Sequence, residues 1–381
     1  MQIKCKKYYG TQKMSNTIGT LLKITTFGES HGRAIGGIID GCPAGVIITE
    51  DTIQEALQRR KPGQSDYTTT RKEDDKVELL SGVYEGKTLG TAIGFVIQNL
   101  DAHSGDYDLL KEVYRPSHAD YTYDVKYGHR DYRGGGRSSA RATACVVAAG
   151  AIAKQVVLQC TRQIKFTAPE VAVWVNQIGN LKANPASAPI YQEDVYASTL
   201  RCPDEKAEHA MADLIKEVKA KGDSLGGIIR GEFRNIEAGL GEPLFNKFQS
   251  ALAQAIFSIN AVHGFEYGLG FEYANHYGSE VNDAFVMEDE RVVTKTNYSG
   301  GIQGGITNGM TITFNVAFKP TATIGAKQQT INAAHEELEL KATGRHDACV
   351  LPRAVSIVEA FCWLVLADFI LLRRTNRVED I

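Results

Sequence analysis

The chain has 381 residues, 43% of them hydrophobic and 23% charged, which suits two globular domains or one large domain with a duplicated core. A formal net charge of −3 argues against general nucleic-acid binding, which favours a basic balance. Seven cysteines (Cys5, Cys42, Cys145, Cys160, Cys202, Cys349 and Cys362) include no CxxC pair, which argues against a disulfide framework or a zinc knuckle; no metal site is expected, and a reducing cytoplasm fits.

The basic start, MQIKCKKYYG, lacks the apolar stretch of a signal peptide. Residues 20–27, rich in β-branched side chains, read as a strand that ends at Gly28, and GESHG (28–32) follows as a turn. Between glycines, His31 can approach a ligand closely, and an imidazole titrates near enough to neutrality to move protons. An exposed turn histidine explains this short word equally well. Residues 34–39 read as a second strand. Thr49 caps a helix with Glu50 and Asp51 in its first turn and Ile53, Ala56 and Leu57 on its apolar face. Arg59, Arg60 and Lys61 close that helix before Pro62 and Gly63; they offset its dipole and could also reach a phosphate. Residues 76–83 and 89–98 alternate as antiparallel strands.

From 99 to 132 the periodicity fails. The segment is polar, rich in Tyr, Asp and His, and contains RPSHADY (115–121), so it reads as a long site loop. His118 is a second acid/base candidate there, against a solvated loop histidine. The loop runs into YGHRDYRGGGRSSARATACVVAAGAIAK (127–154), the densest chemistry in the chain. Gly134, Gly135 and Gly136 let the backbone approach a ligand, and Arg130, Arg133, Arg137 and Arg141 suit a phosphate or carboxylate. Ser138 or Ser139 is the expected N-cap of the alanine-rich helix that follows. No GK[ST] ending and no dinucleotide fingerprint is present, so the site expected is one for an anionic small molecule. An RGG-type RNA segment and a flexible turn are the rival readings.

Residues 171–178 read as a strand, 179–189 as the best place for a domain boundary, 204–221 as an exposed amphipathic helix, 226–233 as a strand and 246–259 as a helix. In SINAVHGFEYG (258–268) a helix hands over to a glycine-flanked turn, and YSGGIQGGITNG (298–309) marks a tight turn. Residues 311–318 alternate as a strand and run into KPTAT (319–323), whose cation and hydroxyls could line a cofactor or simply end the strand. TGRHDACVLPR (343–353) sets Arg345, His346 and Asp347 at one turn before the closing helix. The apolar run 354–372 is interrupted by Glu359 and Asp368 and reads as a buried core or interface helix rather than a membrane span.

In this order, GESHG, RPSHADY, YGHRDYRGGGRSSAR, NAVHGFEYG, SGGIQGG, KPTAT and RHDACVLPRA resemble the chorismate synthase family, from about residue 14 to the final helix. The resemblance implies an α+β sandwich, with helices packed between two antiparallel sheets, as a single catalytic domain over 14–381. Residues 1–13 would be an N-terminal extension, expected to be disordered. It implies a cytoplasmic homotetramer with no membrane or nucleic-acid partner. It also implies a lyase of the shikimate pathway: 1,4-anti elimination of phosphate from 5-enolpyruvylshikimate 3-phosphate gives chorismate, a precursor of aromatic amino acids, with reduced FMN required but not consumed. The hydrogen lost from C6 has no neighbouring carbonyl to acidify it, so transient electron donation from the flavin would help expel phosphate, and arginines would bind the dianion.

Carried over by the resemblance, His31 would act on the reduced flavin, His118 on the leaving phosphate, and Asp347 at the flavin N5 and the C6 hydrogen. Flavin contacts would come from Arg137, Ser138, Ser139, Asn260, Ala261, Gly304, Lys319, Pro320, Thr321, Ala322, Thr323 and Arg345. Arg60 and Arg133 would bind the substrate's anions. The chain departs from the family pattern at Asp66, where Arg is common, at Ser117, where Gly is common, and at Ala348, where Pro is common. A non-catalytic anion-binding or RNA-binding module and a flavin reductase are the competing functions. No large inserted reductase-like domain is visible, which favours an outside reductant over NADPH taken by this chain.

Overall fold

The computed structural model describes residues 16–61, 74–100, 111–162, 167–185, 189–341 and 347–378. Strands β1 (Thr17–Ile18), β2 (Lys23–Phe27) and β3 (Ala34–Asp40) precede helix α1 (Glu50–Arg60). After it come β4 (Val77–Leu79), a small hairpin of β5 (Val83–Tyr84) and β6 (Lys87–Thr88), and β7 (Ile93–Gln98). They form a five-stranded antiparallel sheet in the order β1-β2-β3-β7-β4. Helices α2 (Asp120–Tyr127) and α3 (Thr143–Cys160) follow.

The second half opens with β8 (Glu170–Ile178), β9 (Leu181–Lys182), α4 (Gln192–Ala197), α5 (Glu205–Ala220), β10 (Gly227–Arg234), α6 (Phe248–Phe257) and β11 (Val262–Tyr267). After α7 (Gly278–Val281) come two hairpins, β12 (Phe285–Glu288) with β13 (Arg291–Thr294) and β14 (Ile302–Gln303) with β15 (Ile306–Thr307). The chain then runs through β16 (Ile312–Phe318), the hairpin of β17 (Gln328–Ile331) and β18 (Glu337–Leu340), and α8 (Leu351–Arg373). The second sheet is also five-stranded and antiparallel, in the order β11-β16-β10-β8-β9. In β16, Ile312, Phe314, Val316 and Phe318 are buried and the residues between them are not, the period-2 pattern of a strand with one face on a core.

That core is a layer of helices. Helix α3 lies on β2 and β3 of the first sheet, α8 lies on β8 and β10 of the second, and the two helices pack against each other. Most of α8 is buried, from Leu351 to Leu371. A helix covered on every side needs no polar face, which explains why α3 and α8 are long and apolar enough to cross a membrane by length and composition. The two acidic residues inside α8 have partners. Asp368 accepts the backbone N–H groups of Thr20, Leu21 and Leu22 at 2.7–2.9 Å and so ties α8 to the start of β2. Glu359 accepts the Tyr196 hydroxyl and the Trp363 indole N–H.

The α+β sandwich expected from the resemblance is the fold observed. Thr49 caps α1 as read, accepting the Thr52 N–H, and Asp204 caps α5. Three local expectations are corrected. The loop at 99–132 contains α2, whose first residue, Asp120, is buried and bonded by Arg115 and whose two turns are closed by Gly128 at φ +68°. In 258–268 the helix hands over to a turn at 258–261, as read, but 262–267 form the edge strand β11, stabilised by pairing with β16, which a local pattern cannot reveal. Neither Ser138 nor Ser139 caps α3 directly. Ser139 accepts the Arg141 N–H and caps a single 3-10 turn, Ala140–Ala142, which leads into α3 at Thr143. The 179–189 loop begins as the turn between β8 and β9 within the second sheet. Residues 1–13, Asp66 and Arg345 lie outside the described residues.

Candidate active site

The starts of α3 and α8 and the end of β16 converge on one cleft of about 400 Å³. Five sequence words separated along the chain meet there: His118, then Ser138 and Ser139, then Asn260 and Ala261, then Lys319, Pro320, Thr321, Ala322 and Thr323, and finally Asp347. Asn260 Nδ2 donates to the Ser138 carbonyl at 2.7 Å, fastening the exit of α6 to the glycine-rich loop. Lys319 joins two other segments. Its Nζ donates to the Ser117 carbonyl (2.9 Å) and its backbone N–H to the Ala261 carbonyl (2.9 Å). Both acceptors are non-glycines in the left-handed region, Ser117 at φ +57° and Ala261 at φ +69°, a conformation that costs on the order of 1–3 kcal/mol and persists when its surroundings hold it. An ammonium carries three donors, so Lys319 retains donors for an anion in the cleft.

Asp347 Oδ2 accepts from Arg353 Nη1 at 2.7 Å, and both side chains are mostly buried at the cleft wall. His118 presents its ring to the cleft while its Nδ1 lies 3.0 Å from Asp120 Oδ1. Asp120 is 4% exposed. Burial pushes its pKa up, but hydrogen bonds from Arg115 and His118 outweigh that and hold it well below the usual carboxylate range.

Comparison with known proteins shows the family of the chain. The family model for chorismate synthase matches residues 22–371. The chain belongs to the chorismate synthase family. It is 52% identical over 363 residues to the chorismate synthase of Christiangramia forsetii, covering 95% of this chain and 99% of that one. It is 53% identical over 361 residues to that of Parabacteroides distasonis, with the same coverage. A crystal structure described as chorismate synthase superposes with a TM-score of 0.73 at 31% identity, covering 95% of each chain.

The other residues singled out by resemblance to chorismate synthases take different places. His31 lies beside the cleft: Ser30 Oγ is 3.1 Å from its Nδ1, and its ring packs over Gly134, where an added Cβ would stand 2.5 Å from the imidazole. Gly134 also has φ +79°, so two independent constraints require glycine there. Arg137 points away from the cleft. Its Nη1 donates to the Gly28 carbonyl (3.3 Å), and its Nη2 to the Thr26 carbonyl (3.2 Å) and Oγ1 (2.7 Å). It lines a neighbouring cavity of about 320 Å³ that shares Thr143 and Asn260 with the cleft.

Arg60 is 1% exposed and serves the loop. It donates to Asp75 Oδ2 (2.9 Å), Thr143 Oγ1 (3.2 Å) and the Ala140 carbonyl (2.7 Å). Its route to the cleft therefore runs through Ala140 and Thr143, which line it. Arg133 is bidentate to Asp131, at 2.9 and 2.8 Å, and that bond holds the Asp131 carboxyl below its usual range. Gly304 sits in the exposed turn between β14 and β15. Phe248, the first residue of α6, donates to Gly305 O, whereas Asn260 follows the other end of α6. Ten residues of helix span about 15 Å, so within one chain Gly304 is not brought to the cleft.

Sequence reading missed the anions that hold these arginines. Asp75 is fully enclosed, bonds Arg60 and Arg141, and itself has φ +46°. Arg141 also donates to Asn99 Oδ1 (2.8 Å), and Asn99 Nδ2 donates to the Glu29 and Gly32 carbonyls, bracing the GESHG turn. Nothing in the polar run around Asp75 marks it. Arg115 and Asp120, by contrast, sit in the RPSHADY word, and Arg353 in the final word.

Proposed function

We propose that this cleft carries out the chorismate synthase reaction: 1,4-anti elimination of phosphate from 5-enolpyruvylshikimate 3-phosphate, with reduced FMN as a cofactor that is not consumed. The observation that carries the reading is the meeting of His118, Asp347 and the Lys319–Thr323 segment in one cleft. The walls offer a ligand polar partners. Thr321 Oγ1 and Arg353 Nε are buried there with no hydrogen-bond partner among the described residues, and a buried polar atom costs stability until a ligand or water meets it. Ser138, Ser139, Asn260, Ala261 and Lys319–Thr323 would hold the flavin, with Arg137 ordering the loop beneath it, and Arg345 and Gly304 assigned by resemblance alone. When bound, the reduced flavin supplies an electron-rich ring beside the substrate.

The chain's own side chains then do the following work. Lys319 and the exposed Arg133 attract the substrate's anions, and Arg60 sets the backbone at Ala140. In the elimination the C3–O bond to phosphate and a C6–H bond break, and a new double bond joins the ring. His118 gives a proton to the departing phosphate oxygen, and Asp347, steadied by Arg353, takes up or relays the proton lost from C6. His31 holds a proton beside the glycine-rich loop. Residues 14–381 act as a single catalytic domain. The chain assembles as a homotetramer, which the exposed Phe271, Tyr277, Phe285, Met287 and Val292 support, and works in the cytoplasm, which the free cysteines support.

The test is anaerobic: protein, dithionite-reduced FMN and 5-enolpyruvylshikimate 3-phosphate, with phosphate and chorismate followed together. Equal release of both products is expected. Folded protein that binds the flavin yet releases neither would overturn the reading.

A further inference from the structure

Five nitrogens converge on the two carboxylate oxygens of Asp120, the first residue of α2. Oδ2 accepts the Arg115 backbone N–H (3.1 Å) and Arg115 Nε (2.8 Å). Oδ1 accepts Arg115 Nη2 (2.8 Å), lies 3.1 Å from Arg130 Nη1, and faces His118 Nδ1 at 3.0 Å. Arg130 is paired in turn with Asp124 (3.2 Å) and lies over the Tyr114 ring at 5.6 Å. Two arginines thus balance two aspartates, and the forked bond from Arg115 fixes the plane of the Asp120 carboxylate.

An ionised carboxylate only accepts hydrogen bonds. Nδ1 of His118 must therefore carry the hydrogen whether the ring is neutral or charged, and the nitrogen left for the cleft is Nε2. We propose that Asp120 is a positioning residue of the reaction: it locks His118 in the Nδ1–H tautomer and in one orientation, so that Nε2 alone exchanges a proton with the departing phosphate. This rests on the role given above to His118. The same Arg115 donates through Nη2 to the Gly134 carbonyl (3.0 Å), and Gly134 is the residue over which His31 packs. One buried anion thereby sets the backbone beneath both histidines.

A purely structural Asp120 would pair with its arginines and leave the imidazole free to adopt either tautomer, so the readout is the tautomer itself. Magic-angle-spinning NMR of enzyme labelled with [13C,15N]histidine distinguishes the two forms at alkaline pH, where imidazoles are neutral. The His118 signal among the nine histidines is assigned by its loss in His118→Gln. The parent should show Nδ1–H at His118. Asp120→Asn, which can donate where the aspartate only accepts, should convert it to Nε2–H. Turnover should then fall by about 10²-fold or more while the substrate KM stays within about threefold. An Nε2–H signal in the parent overturns the proposal, and that spectrum is decisive whether or not the variant folds. An Nδ1–H signal retained in both Asp120→Asn and Asp120→Leu, the second of which offers the ring no acceptor, overturns it as well. If the tautomer switches and turnover does not fall, the positioning stands and the acid role of His118 is what fails.

Discussion

Along the seam of α3 and α8, small residues let two helices touch: a Cβ added at Gly150 would stand 2.5 Å from the Ala360 Cβ. At the N-terminal end of the same layer, the glycine-rich loop is held by buried charge, with Asp75 taking Arg60 and Arg141, and Asp120 taking Arg115 and Arg130. The two regions respond differently to damage. Apolar packing loses stability in proportion to the volume added or removed. A buried ion lattice fails abruptly, because removing one partner strands the other in a low-dielectric setting. The cleft's backbone hangs from the lattice, so damage to the abrupt region reaches both chemistry and stability, whereas damage to the graded one reaches stability alone.

The largest effect that separates them is on turnover. His118→Ala should lower it by about 10²- to 10⁴-fold with substrate affinity and melting temperature close to the parent's, as steady-state kinetics and calorimetry would show. A loss confined to affinity would make His118 a binding residue. Next, Asp75→Ala should cost about 3–5 kcal/mol in urea unfolding, since two enclosed arginines lose their anion. Hydrogen exchange should place the earliest loss of protection at residues 137–143 rather than along the seam. Gly150→Val attacks the seam itself and should cost about 1–3 kcal/mol, with turnover per folded molecule retained.

Acid should affect the lattice more gently. The folded pKa of Asp120 lies below its unfolded value of about 3.9, so its contribution is complete above about pH 4 and is lost as pH falls toward the folded value. In melting curves against pH, the gap between parent and Asp120→Asn should therefore be widest near neutrality and narrow below about pH 4. The smallest effect is a gain. Ser117→Gly relieves left-handed strain of about 1–3 kcal/mol, partly offset by glycine's entropy of about 0.5–1 kcal/mol, so the melting temperature should rise slightly. A fall would show that the serine side chain has a role of its own.

Ser117 also shows how sequence and structure divide the explanation. That glycine is common at this position was legible as a family pattern, but the reason, a positive φ whose carbonyl Lys319 holds from 202 residues away, is tertiary. Arg60 and Arg137 were legible as cations near a site. The burial of Arg60 and the inward bonds of both were not, because a side chain's direction depends on which segment packs above it.

The order of elements, the alternation in β16, the cap at Thr49 and the words that meet at the cleft follow from local chemistry, since periodicity, capping and turn residues act over a few neighbours. The placement of β11 beside β16, the choice of Asp75 and Asp120 as buried anions, and the distance of Gly304 from Asn260 follow from packing. A carboxylate in a polar run looks the same on paper whether solvent or two arginines will surround it, and only the closure of the helix layer between the two sheets determines which environment it receives.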